Sequence, residues 1–199
     1  MSVNYWVSTS SHDGNLSSNW SLGALASTDV LTFDNAQSTV ECDCSAAWTC
    51  AGIVMTAGYT GTVNLGTYSH VNNGDLTIVS TCTFTPGTSV ITFSGTVAQT
   101  ITMGTKSCYD ITITRVTATS TLTFSGAASL HTLTVSATNS QAVSWTGTTM
   151  TASGNIAIDS TSSPAMNFGS GITLNGASSS LHIAGIYIYW IRRYKIVGW

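Results

Sequence analysis

The chain has 199 residues, of which 43% are hydrophobic and 7% are charged, and its formal net charge is −3. This composition excludes intrinsic disorder, which requires few apolar residues and a high net charge. Five lysine and arginine residues neutralise few phosphates, so the composition also argues against a nucleic-acid partner. β-Branched residues dominate and apolar residues do not recur at helical spacing, which predicts an all-β fold long enough to bury a continuous core.

The N-terminal segment, 1–40, contains no repeat and is rich in aromatic and acidic side chains. Its most distinctive parts are Tyr5-Trp6, Asn19-Trp20-Ser21 and Asp29-Val30-Leu31-Thr32-Phe33-Asp34. No basic and apolar leader opens the chain, so no Sec-type secretory signal is predicted. Because a stack of β-coils must cover its first open end, we interpret 1–40 as an N-terminal cap and first coil.

Residues 41–75 are predicted to form irregular early coils, and they contain three of the five cysteines. Cys42, Cys44 and Cys50 lie close together, whereas Cys82 and Cys108 lie farther along the chain. Because the number of cysteines is odd, they cannot all pair within one chain. Three interpretations stay open: buried core thiols, a disulfide between Cys50 and either Cys42 or Cys44, and a thiolate metal site.

Two interleaved series of short strands run through 76–185. After one longer step in each series, the members follow one another at roughly 21 to 25 residues, a period typical of a β-solenoid, in which each coil buries its apolar face on the next. We therefore predict regular coils over 76–185. Residues 98–103 are predicted to form an extra element inside the long first step, which is either an additional short strand or a loop that leaves the stack. The first series starts at Leu76, Ile111, Leu133, Ile156 and Leu181, and the second contains Phe93, Phe124, Trp145 and Phe168.

The last segment, 186–199, changes character again. It holds three of the five basic residues and five of the 18 aromatic residues, and its apolar run is too short to cross a bilayer. It is predicted to be an aromatic strand or hairpin that acts as a C-terminal cap, as an assembly element, or as both. The candidate interface residues are Tyr187, Tyr189, Trp190, Arg192, Arg193, Tyr194 and Trp199.

Several segments together resemble the sequence motifs of one group of β-solenoid proteins. The N-terminal segments given above, Gly58-Tyr59-Thr60-Gly61-Thr62, Gln99-Thr100-Ile101-Thr102 and the coil ending in Tyr109-Asp110-Ile111-Thr112-Ile113 are similar to elements of β-solenoid structural proteins of bacteriophages and of large bacterial surface adhesins. This resemblance implies a structural role on a virion or a cell surface and brings no catalytic residues. Cys108 and Asp110 replace the aromatic residue and the asparagine that are usual in those coils.

An enzyme is one alternative, because parallel β-helices often carry polysaccharide-cleaving sites, which need converging carboxylates. The repeat region offers Asp75, Asp110 and Asp159, with Lys106, Arg115 and His131 as possible partners. Asp75 and Asp110, however, occupy the position before a strand that Thr132, Asn155 and Ser180 occupy in other coils. This pattern indicates a ladder of turn-forming residues. No enzyme, cofactor or metal is therefore predicted.

Two further polar patterns each allow more than one interpretation. Asp13, Asp29 and Asp34 are interpreted as cap or turn residues, with a bound cation as the alternative. Thr-x-Thr recurs at 81–85, 100–102, 112–114, 121–123 and 132–134. Stacked on one flat face, these threonines would form an ice-binding array. The simpler interpretation is that threonine suits the outer face of a strand.

The sequence thus predicts a right-handed parallel β-solenoid with an irregular N-terminal cap and an aromatic C-terminal strand or hairpin. The predicted function is a self-assembling structural subunit of a virion appendage or decoration, or of an extracellular fibre. Its partners are then copies of itself, other virion or surface proteins, or host glycans. The alternative is an adhesin or carbohydrate-binding module, in which aromatic rings stack on sugars. The candidate stacking residues are Tyr5, Trp6, Trp20 and Trp48.

Overall fold

The computed structural model describes residues 1–114, 121–126, 128–136, 143–146, 149–159, 166–167, 171–178 and 180–184. The chain forms an all-β parallel solenoid of about six turns, as predicted. The described residues contain no α-helix, and a single 3-10 turn covers Ser17–Asn19. They include no helix with the length and apolarity that crossing a bilayer requires. The right-handed sense stays a prediction, in line with the general hand of parallel β crossovers.

Three sheets form the faces of the solenoid, and every strand pair in them is parallel. Sheet 1 contains β1 (Ser2–Tyr5), β2 (Asp29–Phe33), β5 (Gly52–Met55), β8 (Leu76–Ile78), β11 (Gln99–Thr102), β13 (Leu122–Ser125), β16 (Val143–Thr146) and β19 (Met166–Asn167). Sheet 2 contains β4 (Thr49–Cys50), β7 (Ser69–Asn72), β10 (Val90–Phe93), β12 (Asp110–Ile113), β15 (Thr132–Val135), β18 (Ile156–Asp159) and β21 (Leu181–Ala184). Sheet 3 consists of two groups, namely β3 (Cys42–Asp43), β6 (Thr62–Asn64) and β9 (Thr83–Thr85), then β14 (Ala128–Leu130), β17 (Thr149–Ala152) and β20 (Gly171–Leu174).

From β2 onward the chain visits the sheets in a fixed cycle: sheet 1, then sheet 3, then sheet 2. In the fourth cycle the strand of sheet 3 is reduced to one bridge between Ser107 and Ser129. Each strand of sheets 1 and 2 pairs with the strand one cycle later, and the length of chain between paired residues varies little from coil to coil. This near-constant step keeps each coil in register with the next.

Inward side chains form continuous apolar rows because each strand alternates its side chains between core and solvent. In sheet 1, one such row places Leu31, Ile53, Leu76, Ile101 and Phe124 on successive coils, and all five are buried. Sheet 2 supplies parallel rows, and the rows of the three sheets meet in one core cluster. The inward residues of the two rows in sheet 2 include Ile91, Ile111, Leu133 and Ile156, then Phe93, Ile113, Val135 and Ile158.

The predicted grouping of strands into two series is wrong at the first member of each series. Leu76 pairs with Ile101 in sheet 1, whereas Phe93 pairs with Ile113 in sheet 2. Both strands read apolar-polar-apolar, so their local pattern does not distinguish the two faces. When β8 is assigned to sheet 1 and β10 to sheet 2, the long first step of each series disappears. The next strand after β8 in sheet 1 is then β11, and the next strand after β10 in sheet 2 is β12.

Of the two interpretations of 98–103, the short strand is confirmed and the loop that leaves the stack is wrong. Gln99–Thr102 is β11, the regular member of sheet 1 between β8 and β13. The coils of 41–75 also share the common register, since Ile53 pairs with Leu76 and Asn72 pairs with Phe93. Strand pairing therefore does not change at residue 76, where the regular coils were predicted to begin.

The N-terminal end of the solenoid is covered by the chain itself. Strand β1 adds to β2, and the segment after the 3-10 turn then crosses the outer edge of β1. There Ser21 N donates to Tyr5 O (2.9 Å), Tyr5 N donates to Ser21 Oγ (2.9 Å) and Leu22 N donates to Asn4 Oδ1 (2.9 Å). The two bonds to Tyr5 satisfy backbone groups of β1 that would otherwise form part of an open edge.

Glycines occupy corners at which neighbouring coils come too close for a side chain. A Cβ on Gly74 would overlap the carbonyl oxygen of Ala51 on the preceding coil, and one on Gly176 would overlap that of Ser153. In contrast, the nearest atom to a Cβ on Gly58 would be Asn35 Cβ at 3.7 Å, which is ordinary contact. The spacing of the coils thus depends on the absence of side chains at particular corners.

We expect Gly74→Ala to lower the free energy of unfolding by at least about 2 kcal/mol, because the coils must separate to admit the methyl group. Gly58→Ala is the matched control and should change stability by less than about 1 kcal/mol. Urea unfolding followed by circular dichroism measures both. Equal stability of the two variants would contradict the close approach at this corner.

Candidate functional site

An aromatic cluster fills the core beneath the cap. Trp6 and Trp20 meet edge to face at 5.4 Å between ring centroids, and Trp20 meets Trp48 in the same way at 6.0 Å. Phe33 lies against all three tryptophans, and Tyr59 packs on Phe33 at 5.6 Å. The first coil has no preceding coil to pack against. The large aromatic rings fill that place and cover its apolar rows.

Hydrogen bonds anchor the polar atoms of this cluster to the backbone of the cap. Trp6 Nε1 donates to Val40 O (2.9 Å), Tyr59 Oη donates to the same oxygen (2.6 Å), and Trp20 Nε1 donates to Gly14 O (2.9 Å). Trp48 Nε1 is buried without a partner among the described residues. The cluster therefore ties the N-terminal cap to the first coils.

The candidate sugar-stacking residues lie mostly inside this cluster. Trp6, Trp20 and Trp48 are at most 3% exposed, so they offer no ring face to a ligand at the surface, and Tyr5 is half-buried. A groove of about 360 Å³ opens beside Trp48, between the cap loop and β4. Its remaining lining is Asn15, Ala24, Leu25, Ser27, Ala47 and Thr49, without a second aromatic ring. The burial favours the core role over the sugar-stacking role for the three tryptophans.

The candidate interface residues of 186–199 lie outside the described residues. They are Tyr187, Tyr189, Trp190, Arg192, Arg193, Tyr194 and Trp199. Their assignment to an assembly element stays a prediction.

The carboxylates considered for an enzyme are divided between two sheets. Asp75 precedes β8 of sheet 1, and its Oδ1 accepts a bond from Thr100 N (2.7 Å) on the next coil. Asp110 belongs to sheet 2 and pairs with Thr132. Farther along the same row, Asn155 Oδ1 accepts bonds from Ser180 N and Oγ, both at 3.0 Å. Asp110, Thr132, Asn155 and Ser180 thus form one row of polar residues in sheet 2. Asn155 in this row accepts a bond from the backbone of the next coil, as Asp75 does in sheet 1.

One His–Asp contact lies on the surface of sheet 2. His131 Nδ1 is 2.8 Å from Asp110 Oδ1 and 3.1 Å from Thr132 Oγ1, and its ring stacks on Tyr109 at 4.4 Å. A hydroxyl–histidine–carboxylate relay needs its two oxygens on different ring nitrogens. Here both oxygens contact Nδ1, so the arrangement is not a relay. Arg115 lies outside the described residues, as does the side chain of Asp159.

The Thr-x-Thr segments do not share a face. Those at 81–85 lie on sheet 3, those at 100–102 and 121–123 on sheet 1, and those at 112–114 and 132–134 on sheet 2. The longest aligned run within one row is Thr92, Thr112 and Thr134, bounded by Val71 and Ala157. The single flat array that ice binding would require is therefore divided over three faces.

Acidic residues of the cap serve local turns, as predicted. Asp13 Oδ1 accepts from Ser45 Oγ (2.6 Å) and from Asn15 N (2.9 Å), and these two bonds lower the pKa of this carboxyl. Asp34 Oδ1 accepts from Ala36 N (2.8 Å), and the buried Asp29 accepts from Asn4 Nδ2 (3.0 Å). The one group of three potential metal ligands within the described residues is different: His12, Glu41 and Asp43.

Among the described residues, exposed large apolar side chains are concentrated at the cap end of the stack, which the sequence did not predict. Leu22 is 56% exposed, and Met1, Val3 and Leu16 share this end with it. At the other end Leu181, on β21, is 40% exposed, although its row partners Leu133 and Ile156 are fully buried. Within the described residues, the other large apolar side chain in this class is Val97.

All five cysteines are buried free thiols, so the core interpretation is confirmed and the disulfide is not formed. Cys42, Cys44 and Cys50 point into the core beside the aromatic cluster. Burial is the main cause that raises the pKa of every thiol, to about 12 for Cys50 and for Cys108. Such thiols are neutral at physiological pH and are poor nucleophiles.

His70 lies in an apolar row of sheet 2, where the next coil has Ile91. Its Nδ1 accepts a bond from Trp48 N (3.1 Å), so its Nε2 carries the proton and faces Leu65 O at 3.1 Å. Burial lowers the pKa of His70. The side chain is therefore a neutral, structural part of the core below the cap.

Comparisons of the chain with protein-family models, with curated proteins and with solved structures give no match.

We expect the native protein to react very slowly with a thiol reagent such as Ellman's reagent at pH 8, because each thiol is both buried and protonated. Denaturant should then release all five thiols for reaction. Absorbance of the released thiolate measures both stages. Rapid reaction of one or more thiols in the folded protein would contradict the burial described above.

We expect His70 to make stability depend on pH below about 6.5, the usual pKa of histidine in an unfolded chain. Below about pH 6.5 the imidazole of His70 binds a proton in the unfolded chain but not in the folded protein. Stability therefore falls as pH decreases from about 6.5 through the lowered native pKa. His70→Asn keeps an acceptor for Trp48 N and removes the titrating group. Its stability deficit relative to wild type should therefore shrink between pH 7.5 and pH 5.

Thermal unfolding midpoints at the two pH values measure this difference. His182→Asn, which changes an exposed histidine, controls for the loss of a histidine as such. A His70→Asn protein whose midpoint falls with pH as steeply as that of wild type would overturn the assignment.

Proposed function

We propose that this chain is a structural subunit that assembles with copies of itself, as part of a virion appendage or decoration or of an extracellular fibre. The observation that carries the proposal is the placement of exposed apolar side chains at the cap end of a weakly charged stack. Leu22, Leu16, Val3 and Met1 are exposed at the cap end and are suited to contact between subunits.

The geometry of the cap supports side-chain packing over strand addition at the N-terminal end. Backbone groups of Tyr5 at the outer edge of β1 already bond to Ser21, so a neighbouring strand cannot use them. A contact between the cap of one copy and the far end of the next is heterologous. Because the coils of both copies share one axis direction, such a contact repeats as an open chain rather than closing as a dimer.

The assignment to a virion or to an extracellular surface rests on the resemblance of the N-terminal and coil motifs to those of phage structural proteins and surface adhesins. The carbohydrate-binding alternative has less support, because Trp6, Trp20 and Trp48 are buried in the cluster beneath the cap. Electron microscopy of the native assembly distinguishes a fibre, a particle component and a free molecule.

We expect the full-length, untagged chain to form larger species as its concentration rises, and Leu22→Asp to weaken this association. A carboxylate at this exposed position would have to lose its hydration when the cap is covered. Sedimentation velocity over a range of concentrations gives the size distribution, and negative-stain microscopy gives the shape of the assembly.

Val97→Asp is the matched control, since Val97 is also exposed (52%) but lies on the loop before β11. Its association should equal that of wild type. A wild-type protein that stays monomeric at every concentration would refute self-assembly. Equal association of Leu22→Asp and wild type, together with loss of association on deletion of 186–199, would move the contact from the cap to the C-terminal segment.

A further inference from the structure

The cap chain and the first strand of sheet 3 bring three side chains of metal-ligand type together. His12 Nδ1 is 3.7 Å from Glu41 Oε2 and 3.7 Å from Asp43 Oδ2, and all three ligand atoms lie within 4.8 Å of one another. Each side chain is about half exposed, so water has access to complete a coordination shell. We propose that His12, Glu41 and Asp43 bind a divalent transition-metal ion of the zinc type.

The backbone holds the ligands in place before any ion binds. Asp43 N donates to His12 O (2.6 Å), and Gly14 N donates to Asp43 O (2.7 Å). A Cβ on Gly14 would lie 2.8 Å from both Cys42 Sγ and a ring carbon of Trp48, so this part of the cap packs closely on the first coil. Binding an ion then requires small side-chain adjustments, without rearrangement of the main chain.

Glu41 immediately precedes β3 and Asp43 lies within it, and this two-residue spacing directs both carboxylates to one side. Glu41 and Asp43 flank Cys42, which points into the core, so their side chains lie on the outer side of the strand. Asp43 Oδ1 accepts a bond from Asn64 Nδ2 (3.1 Å) on the next coil, which leaves Oδ2 directed to His12. Partners of this kind orient ligand carboxylates in metal sites.

The ligand set selects the class of ion. Zinc binds histidine nitrogen and carboxylate oxygen at about 2.0–2.2 Å, so two ligands of a tetrahedral zinc ion lie about 3.4 Å apart. The two 3.7 Å distances are close to this value, and rotation of the exposed Glu41 side chain closes the third. Magnesium and calcium prefer sites made entirely of oxygen, so the imidazole argues against both.

A bound ion would link the cap to the coil that it covers. It would also neutralise two carboxylates that otherwise repel each other at short range. The effect of the ion is therefore structural: it would stabilise the N-terminal cap against separation from the stack. This inference does not depend on self-assembly.

The test uses the untagged full-length chain, stripped of metal with a chelator and then titrated with Zn²⁺. Calorimetry should give one site per chain, and the thermal unfolding midpoint should rise with the logarithm of free zinc. Mg²⁺ and Ca²⁺ at the same concentrations should leave the midpoint unchanged. With Co²⁺ as a spectroscopic probe, the visible spectrum should show nitrogen and oxygen coordination without sulfur charge-transfer bands.

His12→Ala and Asp43→Asn should each weaken zinc binding by about tenfold or more and remove the shift of the midpoint, while both metal-free proteins stay folded. The matched control is His182→Ala, which removes an exposed histidine at the opposite end of the stack and should bind zinc as wild type does. Equal zinc affinity of His12→Ala and wild type, sulfur bands in the cobalt spectrum, or no binding to wild type would each overturn the proposal.

Discussion

The stacking of equivalent side chains, coil upon coil, is the interaction on which the rest of the structure depends. Each inward residue has its main apolar contacts above and below, on the same row of the same sheet, and the rows of three sheets share one interior. Because a row continues only while the coils stay in register, the chain repeats at nearly constant steps. Energetically, such a stack is a series of similar interfaces between neighbours.

The N-terminal cap follows from the same constraint. The first coil has a neighbour on one side only, so its apolar rows and strand edge need a different cover. The aromatic cluster around Trp20 covers the rows, while Ser21 and Leu22 satisfy groups of β1. The buried, neutral His70 belongs to this region too.

The fold class was predictable because apolar residues recur with two signals at once, alternation within a strand and a period between coils. The face to which each strand belongs was not predictable from its local pattern. Leu76-Thr77-Ile78 and Ile91-Thr92-Phe93 read alike, and either fits sheet 1 or sheet 2. The number of residues between successive strands held the missing information. Each predicted series began with one step that was too long, and this is the result expected when the first strands of two series are exchanged.

The candidate metal ligands and the exposed cap residues were harder to foresee, for a different reason. Glu41 and Asp43 have strand spacing around Cys42, and that much was visible in the sequence. His12 lies near them only because a cap segment without sequence periodicity runs along β3. The repeat pattern of the sequence does not predict this contact. Likewise, the exposure of Leu16 and Leu22 depends on how the cap folds over β1, since both sit in a segment without periodicity.

The glycine corners give the molecule a property beyond stability. Gly74 and Gly176 lie so close to the carbonyl groups of the preceding coil that these corners cannot accept a bulkier residue. Strand pairing sets the rise per coil at about 4.8 Å, and the glycines allow the corners to keep this spacing. The length of such a solenoid can therefore change only by the addition or loss of whole coils.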